Sequence, residues 1–280
     1  VTESLVHTGT VFIVFFAMFL PLERLFALHK QRVFRTEWST DVCFFLGQYL
    51  LFTTPVVGCL VWLHAQVAQW DLAPFHDVWH QTPFALQLFA AVCLSDLCIY
   101  WGHRLSHQLP FLWTFHRVHH TSPKLDWLAA HREHPIDNLY TRTIENLPIF
   151  ILGFPLETIA GFVMFRGLWG LFIHSNVNIK LGWLKYLIGS PHLHHWHHAE
   201  EHPHCNFANL MPLMDVLFGT YYEPKELPNQ YGIPDEIPHN YLRQLIDPIM
   251  PWTLLNTCRR FLARSRSSPK DDASPTSPHV

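Results

Sequence analysis

Three apolar stretches dominate the first hundred residues, at 5–22, 42–63 and 83–100. Each approaches the ~20 residues that a helix rising 1.5 Å per residue needs to cross a ~30 Å hydrocarbon core. Each is therefore expected to be a membrane span. A fourth apolar stretch covers 144–173, but Pro148, Pro155, Gly161 and Gly167 interrupt it and Arg166 sits inside it. Beyond Tyr222 the chain turns Pro-rich and irregular, and residues 264–280 read as a disordered Ser/Pro-rich tail. The organisation expected is N-terminal spans over 1–102, a histidine-rich region over 103–225 that includes the stretch 144–173, an extension over 226–263, and the tail.

Composition supports a lipid environment. Only 15% of residues are charged, against ~25% in ordinary soluble chains. A net charge of −3 gives no basic footprint for nucleic acid. No Lys or Arg occurs between Thr36 and His103, whereas Arg24, Lys30, Arg32 and Arg35 precede that interval and basic residues resume at Arg104. The positive-inside rule then places the N-terminus outside, with the loop 29–41, the histidine-rich region and the C-terminus cytoplasmic. The first residues lack the basic flank and cleavage site of a signal peptide, so 5–22 is expected to remain as a span. Arg259, Arg260, Arg264 and Arg266 fit a cytoplasmic end near anionic headgroups. The six cysteines form no C-x-x-C pair and are read as reduced thiols.

Histidine changes the picture most. Of 22 histidines, seven fall within 103–134 and eight within 174–204. His103 and His107, in H-R-L-S-H, lie four apart at the end of the third span and share a helix face. Two H-x-x-H-H triplets follow, His116/His119/His120 and His194/His197/His198, with His192 and His195 beside the second. Such spacing can present several imidazole nitrogens to one centre. His174 closes the fourth apolar stretch. His131 and His134, in H-R-E-H-P-I-D, could be ligands or hydrogen-bonded core residues. Asp96, on the stripe of His103 and His107, is expected to hold a ligand imidazole through its second N–H. Asn176 and Asn178 are candidates for a similar supporting role. His198-Ala-Glu-Glu201-His202 fits a zinc-protease pattern, but Pro203 disfavours a helix there and His198 already belongs to the triplet.

A shared site constrains topology. If 144–173 crossed the bilayer once, His174 and the second triplet would lie opposite the first. A short re-entrant helical hairpin returning to the same side is expected instead, its broken backbone buried in protein. The expected fold is all-α: an integral membrane helical bundle of three spans plus this hairpin, with a cytoplasmic helical histidine domain. So many imidazoles imply two metal ions, and imidazole suits zinc, copper, iron or nickel. Zinc hydrolysis and iron oxygenation both remain open on these grounds.

H-R-L-S-H, H-R-V-H-H and Pro191-x-x-His194-x-x-His197-His198 resemble the fatty acid hydroxylase/sterol desaturase superfamily of membrane di-iron enzymes. The resemblance extends to Asp96-x-x-x-Tyr100-x-x-His103, to His134-Pro-x-Asp137, to His174-Ser-Asn176, and to Asn206-Phe207 through Asp215-x-Leu217-Phe218-Gly219-Thr220. It covers about residues 85–225. It implies two Fe ions, for which zinc can substitute in purified protein, with O2 as co-substrate and a lipid C–H bond hydroxylated or desaturated. It also implies ligation by His103, His107, His116, His119, His120, His134, His174, His194, His197 and His198. Some family members carry a further histidine where this chain has Asn178. These residues contain neither the H-P-G-G of a fused cytochrome b5 nor an iron–sulfur cysteine set. A separate electron donor (a reductase, ferredoxin or cytochrome) is therefore expected, with a lipid drawn from the bilayer as substrate. The alternatives are a zinc-dependent membrane lipid hydrolase and a non-catalytic metal- or lipid-binding membrane protein.

Overall fold

The structure, a computed structural model, describes residues 2–70, 77–79, 81–202, 204–234 and 239–267. The expected tail lies outside the described residues from 268 onward, whereas 264–267 continue a helix. Among the described residues there is no β-strand, only two isolated bridges, Ala27–Val177 and Ala199–Tyr231. The protein is all-helical, as the patterning predicts.

The first span is α1 (Thr2–Leu25). The second is one 30-residue rod, Trp38–Val67. It is built from α2 (Trp38–Gly47), a π-helical turn at Gln48–Phe52 and α3 (Thr53–Val67). The third is α4 (Phe84–Gln108), which carries His103 and His107 on its last turns. Leu109 breaks the helix in extended conformation, and Pro110 starts the short α5 (Pro110–His116). Proline is favoured there because the first helical N–H has no intrahelical partner to lose.

The fourth apolar stretch is a helical hairpin, but not the short one expected over 144–173. Its legs are α6 (Pro135–Ile151) and α7 (Leu156–His174), joined by a tight turn at Gly153, whose φ of 65° suits glycine. Pro148, Gly161 and Gly167 lie inside the helices, so the turn is the real break. The start was missed because α6 begins amphipathic, with Asp137, Asn138 and Glu145 buried against protein. The 19 residues of α7 span ~28 Å, so that leg is long enough to cross a membrane. Both ends of the hairpin return to the histidines: Asp137 contacts His116, and His174 contacts His119.

Among the described residues, four helices are thus long and apolar enough to span: α1, the Trp38–Val67 rod, α4 and α7. Of their most apolar windows only 11%, 22%, 39% and 28% is buried within the protein, so most of each apolar surface faces outward. Ile13, Val61, Phe89 and Met164 are among the exposed large side chains. A contiguous apolar exterior of this kind is that of an integral membrane protein.

Arg166 avoids lipid by burial: its Nη1 donates to Asp96 and its Nε to Glu145, each at 3.0 Å. A second buried network joins the loop after α1 to the loop before α6. Arg35 donates to Asp41 and Asp126, and Arg132 donates to Asp41 and Glu37. Arg35, counted from sequence among the positive charges around the loop 29–41, is buried in the interior. Past residue 225, α9 (Tyr241–Ile246) and α10 (Pro251–Ser267) replace the irregular segment expected, with α10 packed on α5. All six cysteines are free thiols, as read from sequence.

Candidate metal centre

Nine histidines from four segments converge on two adjoining groups. The first holds His103, His107, His116, His120 and His197; the second holds His119, His174, His194 and His198. Within each group the candidate ligand nitrogens all lie within 4.8 Å of one another.

The groups cut across the sequence motifs. His116 and His120 join one group while His119 joins the other. His197 parts from His194 and His198 in the same way. The first triplet is not a continuous helix face, because α5 ends at His116 and His119–Thr121 is a 3-10 turn. The second triplet rides on α8 (Pro191–His197), which starts at Pro191 and is capped by the Ser190 hydroxyl accepting from Leu193 N–H. Adjacent residues on a helix diverge by about 100°, so neighbouring imidazoles can serve different centres.

The rings are held from behind, mostly by backbone. His103 Nδ1 donates to Phe207 O at 2.9 Å and His197 Nδ1 to Cys205 O at 2.8 Å. His119 Nδ1 donates to Arg132 O at 3.1 Å and His174 Nδ1 to Gly170 O at 2.7 Å. His116 Nδ1 donates to the Asp137 carboxylate at 2.9 Å. A carbonyl or carboxylate can only accept, so each of these Nδ1 atoms carries the proton and each Nε2 keeps a lone pair. The carbonyls at Cys205 and Phe207 flank Asn206, whose φ of 52° lies in the left-handed region that asparagine tolerates. The Asn206 side chain fixes that turn by donating to Leu193 O and Tyr222 O and accepting from Tyr222 N–H. Asp215 accepts from the N–H groups of Phe207 and Ala208 and from the Thr220 hydroxyl. The Asn206-to-Thr220 motif is thus a scaffold for two imidazoles.

The fit to metal follows from the inward atoms. His119 Nε2 and His174 Nε2 stand 2.9 Å apart, and both are lone-pair atoms. His174 to His194 is 2.9 Å and His194 to His198 is 3.1 Å between Nε2 atoms. At the His119–His174 contact two lone pairs repel unless a cation lies between them. Both nitrogens of His107 and the Nε2 of His197 are buried with no hydrogen-bond partner among the described residues, a cost that a metal bond would remove at one nitrogen of each ring. Burial pushes His119, His120, His194, His197 and His198 well below the ordinary imidazole range. They are neutral at physiological pH, the state a metal requires.

Other expected site residues lie elsewhere. His134 caps α6, accepting from Ile136 N–H through Nδ1 while its Nε2 donates to Leu245 O, so it joins neither group. Asp96 does not hold a ligand imidazole: it accepts from Arg166 and from the Leu210 and Met211 N–H groups. The carboxylate behind a candidate ligand is Asp137, which bonds His116 and whose sequence signal was the H-P-x-D motif. Asn176 braces the loop after α1 by bonding the His29 backbone, and Asn178 is exposed. His195 bonds Tyr231 and His192 bonds Pro224 O. The protease pattern dissolves, with Glu201 bonded to Asn229 and His202 against Tyr222. Backbone carbonyls carry no residue-type signal, so sequence could not show their role.

A cavity of about 640 Å³ adjoins both groups, lined by His103 and His116 of the first and by His119, His174 and His194 of the second. It is also lined by Val56, Val57 and Leu60 of α3 and by Val163 and Met164 of α7. Val57, Val163 and Met164 are also exposed on the apolar exterior.

Residues 88–220 match the fatty acid hydroxylase family profile. Ornithine lipid hydroxylase OlsE of Rhizobium tropici is 30% identical over 188 residues, 66% of this chain and 57% of that protein. Alkylglycerol monooxygenase of Homo sapiens is 29% identical over 141 residues, 49% of this chain and 31% of that protein. Delta(7)-sterol 5(6)-desaturase of Leptosphaeria maculans is 30% identical over 145 residues, 50% of this chain and 38% of that protein. The chain therefore spans at most 57% of the length of these relatives. No solved structure matches it.

Proposed function

The chain belongs, through residues 88–220, to the fatty acid hydroxylase/sterol desaturase superfamily, and from that premise we propose that it is an O2-dependent di-iron oxidoreductase that hydroxylates or desaturates a lipid C–H bond. The observation that carries this reading is the cavity, which is lined both by the two histidine groups and by side chains of the apolar exterior. A site that only stored metal would need no such passage.

His103, His107, His116, His120 and His197 would hold one iron, and His119, His174, His194 and His198 the other. The bound pair would supply O2 activation and removal of hydrogen from an unactivated C–H bond. The protein does the rest. Asp137 and the carbonyls of Phe207, Cys205, Arg132 and Gly170 fix five ring orientations. The apolar walls between α3 and α7 admit an alkyl segment and exclude bulk water. Electrons come from a separate reductase, ferredoxin or cytochrome. The lysine and arginine distribution supports placing the histidine end and the C-terminus on the cytoplasmic face.

Metal analysis of protein purified anaerobically in mild detergent tests this, with O2 uptake followed on adding reductant and a host lipid extract. Iron at one ion per group is expected, with lipid-dependent O2 uptake and a product richer by one oxygen or poorer by two hydrogens. Zinc alone, with no O2 uptake after iron reconstitution, would overturn it in favour of a hydrolase or a binding protein.

A further inference from the structure

His131 lines the same cavity but belongs to neither histidine group. It is 6% exposed, and its ring sits among Phe15, Phe45, Tyr49 and Trp127, with centroids 4.8 to 6.5 Å away. One nitrogen is engaged: Nδ1 lies 3.2 Å from Gln48 Oε1. The other, Nε2, is buried and has no hydrogen-bond partner among the described residues. A buried polar atom left in this state costs free energy unless something in the cavity satisfies it.

The partner side chain comes from an unusual piece of backbone. Gln48 and Tyr49 open the π-helical turn that interrupts the second span, and both line the cavity. π-helical turns are rare and concentrate at functional sites, because the inserted residue re-aims side chains. Here the turn brings an amide to the imidazole inside an otherwise aromatic sleeve. That arrangement is not needed to pack a core, for which an apolar residue at 131 would serve without an orphaned nitrogen.

The geometry points to His131 as a substrate-binding residue that hydrogen-bonds a hydroxyl on the lipid within the cavity. If Gln48 accepts the Nδ1 proton, Nε2 is an acceptor and meets the hydroxyl as a donor. If the Gln48 amide is turned, Nε2–H is a donor and the hydroxyl accepts. A hydroxyl satisfies both arrangements, whereas a bare alkyl segment satisfies neither. The cavity thus selects a hydroxylated lipid, with the alkyl part between α3 and α7. The inference rests on the lipid-oxidation reading only for the kind of ligand the cavity takes.

Binding of labelled hexadecan-1-ol and hexadecane to the metal-free full chain in nanodiscs tests it, each corrected for uptake by protein-free nanodiscs. The wild-type chain should prefer the alcohol by about tenfold, the worth of one buried hydrogen bond. His131→Phe should bring the two probes to within about twofold while hexadecane binding persists. If the phenylalanine variant loses helix content by circular dichroism, His131→Leu is read by the same criterion. Equal binding of the two probes by the wild type, or an undiminished preference in a folded variant, would overturn the assignment. Metal and O2 are absent from the assay, so failed oxidation leaves this result standing, and a lost preference leaves the oxidation reading standing.

Discussion

His116 and Asp137 are 21 residues apart in the chain, yet Nδ1 of one lies 2.9 Å from Oδ2 of the other, with both side chains buried. The carboxylate fixes the imidazole tautomer and makes its Nε2 more basic towards a metal. Partners of this kind typically change metal affinity by about 10–100-fold. Asp137→Ala should lower affinity for one metal equivalent by that order and leave the other unchanged. Competition with a chelator of known affinity, read as metal per chain, checks this. Equal weakening of both equivalents would contradict the division into two groups.

The division itself predicts selective losses. His107→Ala should remove metal from the first group and His198→Ala from the second, each leaving about half the metal content of the wild type. His134→Ala should leave metal content intact, because that ring caps α6 instead. Elemental analysis of the three folded variants is sufficient. Loss of metal on removing His134 would show that the capping geometry is not the one that operates in the loaded protein.

Asn206→Ala should disturb two rings at once. The side chain holds the turn that presents Cys205 O to His197 and Phe207 O to His103, and both rings belong to the first group. Alanine also disfavours the positive φ found there. The first group should lose affinity for metal by about tenfold or more, and the second should hold its metal. Asn206→Gly, which restores the backbone freedom but not the side-chain bonds, should recover only part of the loss.

Acid should destabilise the metal-free protein. Burial holds His131 and His195 down at about 3, against about 6.5 in the unfolded chain. Below pH 6.5 the unfolded state therefore binds protons that the folded state refuses, so stability falls as pH falls, down to the folded pKa. His119, His120, His194, His197 and His198 are displaced in the same direction. Melting of metal-free protein should occur at lower temperature at pH 5 than at pH 7.5. A melting temperature that does not change over that interval would mean these rings are accessible to protons.

Asp96 predicts a stability effect without a metal effect. It neutralises Arg166 inside the bundle and ties α4 to the segment at Leu210 and Met211. Removing one member of a buried ion pair typically costs about 3–5 kcal/mol. Glu145 still pairs with Arg166 here, so the loss falls towards the lower end and includes the Leu210 and Met211 N–H groups left without their acceptor. Asp96→Ala should lower thermal stability strongly, whereas the fraction that folds should retain full metal content. Loss of metal from well-folded Asp96→Ala would restore the role that its helical stripe first suggested.

The sequence by itself determined the apolar spans and the residue type of the candidate ligands. Apolar length marked the spans, because crossing lipid demands an uninterrupted run whatever the tertiary contacts. Histidine spacing marked eight of the nine clustered imidazoles, whereas His174, which has no histidine within a few residues, and His134, which lies in neither group, came from the resemblance. Only the tertiary structure decided how they divide, sending His119 and His120 to different groups where α5 gives way to a 3-10 turn. It also decided which carboxylate serves which partner. Asp96 shares a helical stripe with His103 and His107, but Arg166 arrives from α7 and takes it. Asp137 reaches His116 only because the hairpin starts at Pro135 and folds back. Local periodicity sets the face a side chain occupies, while its partner depends on which distant segment packs against that face.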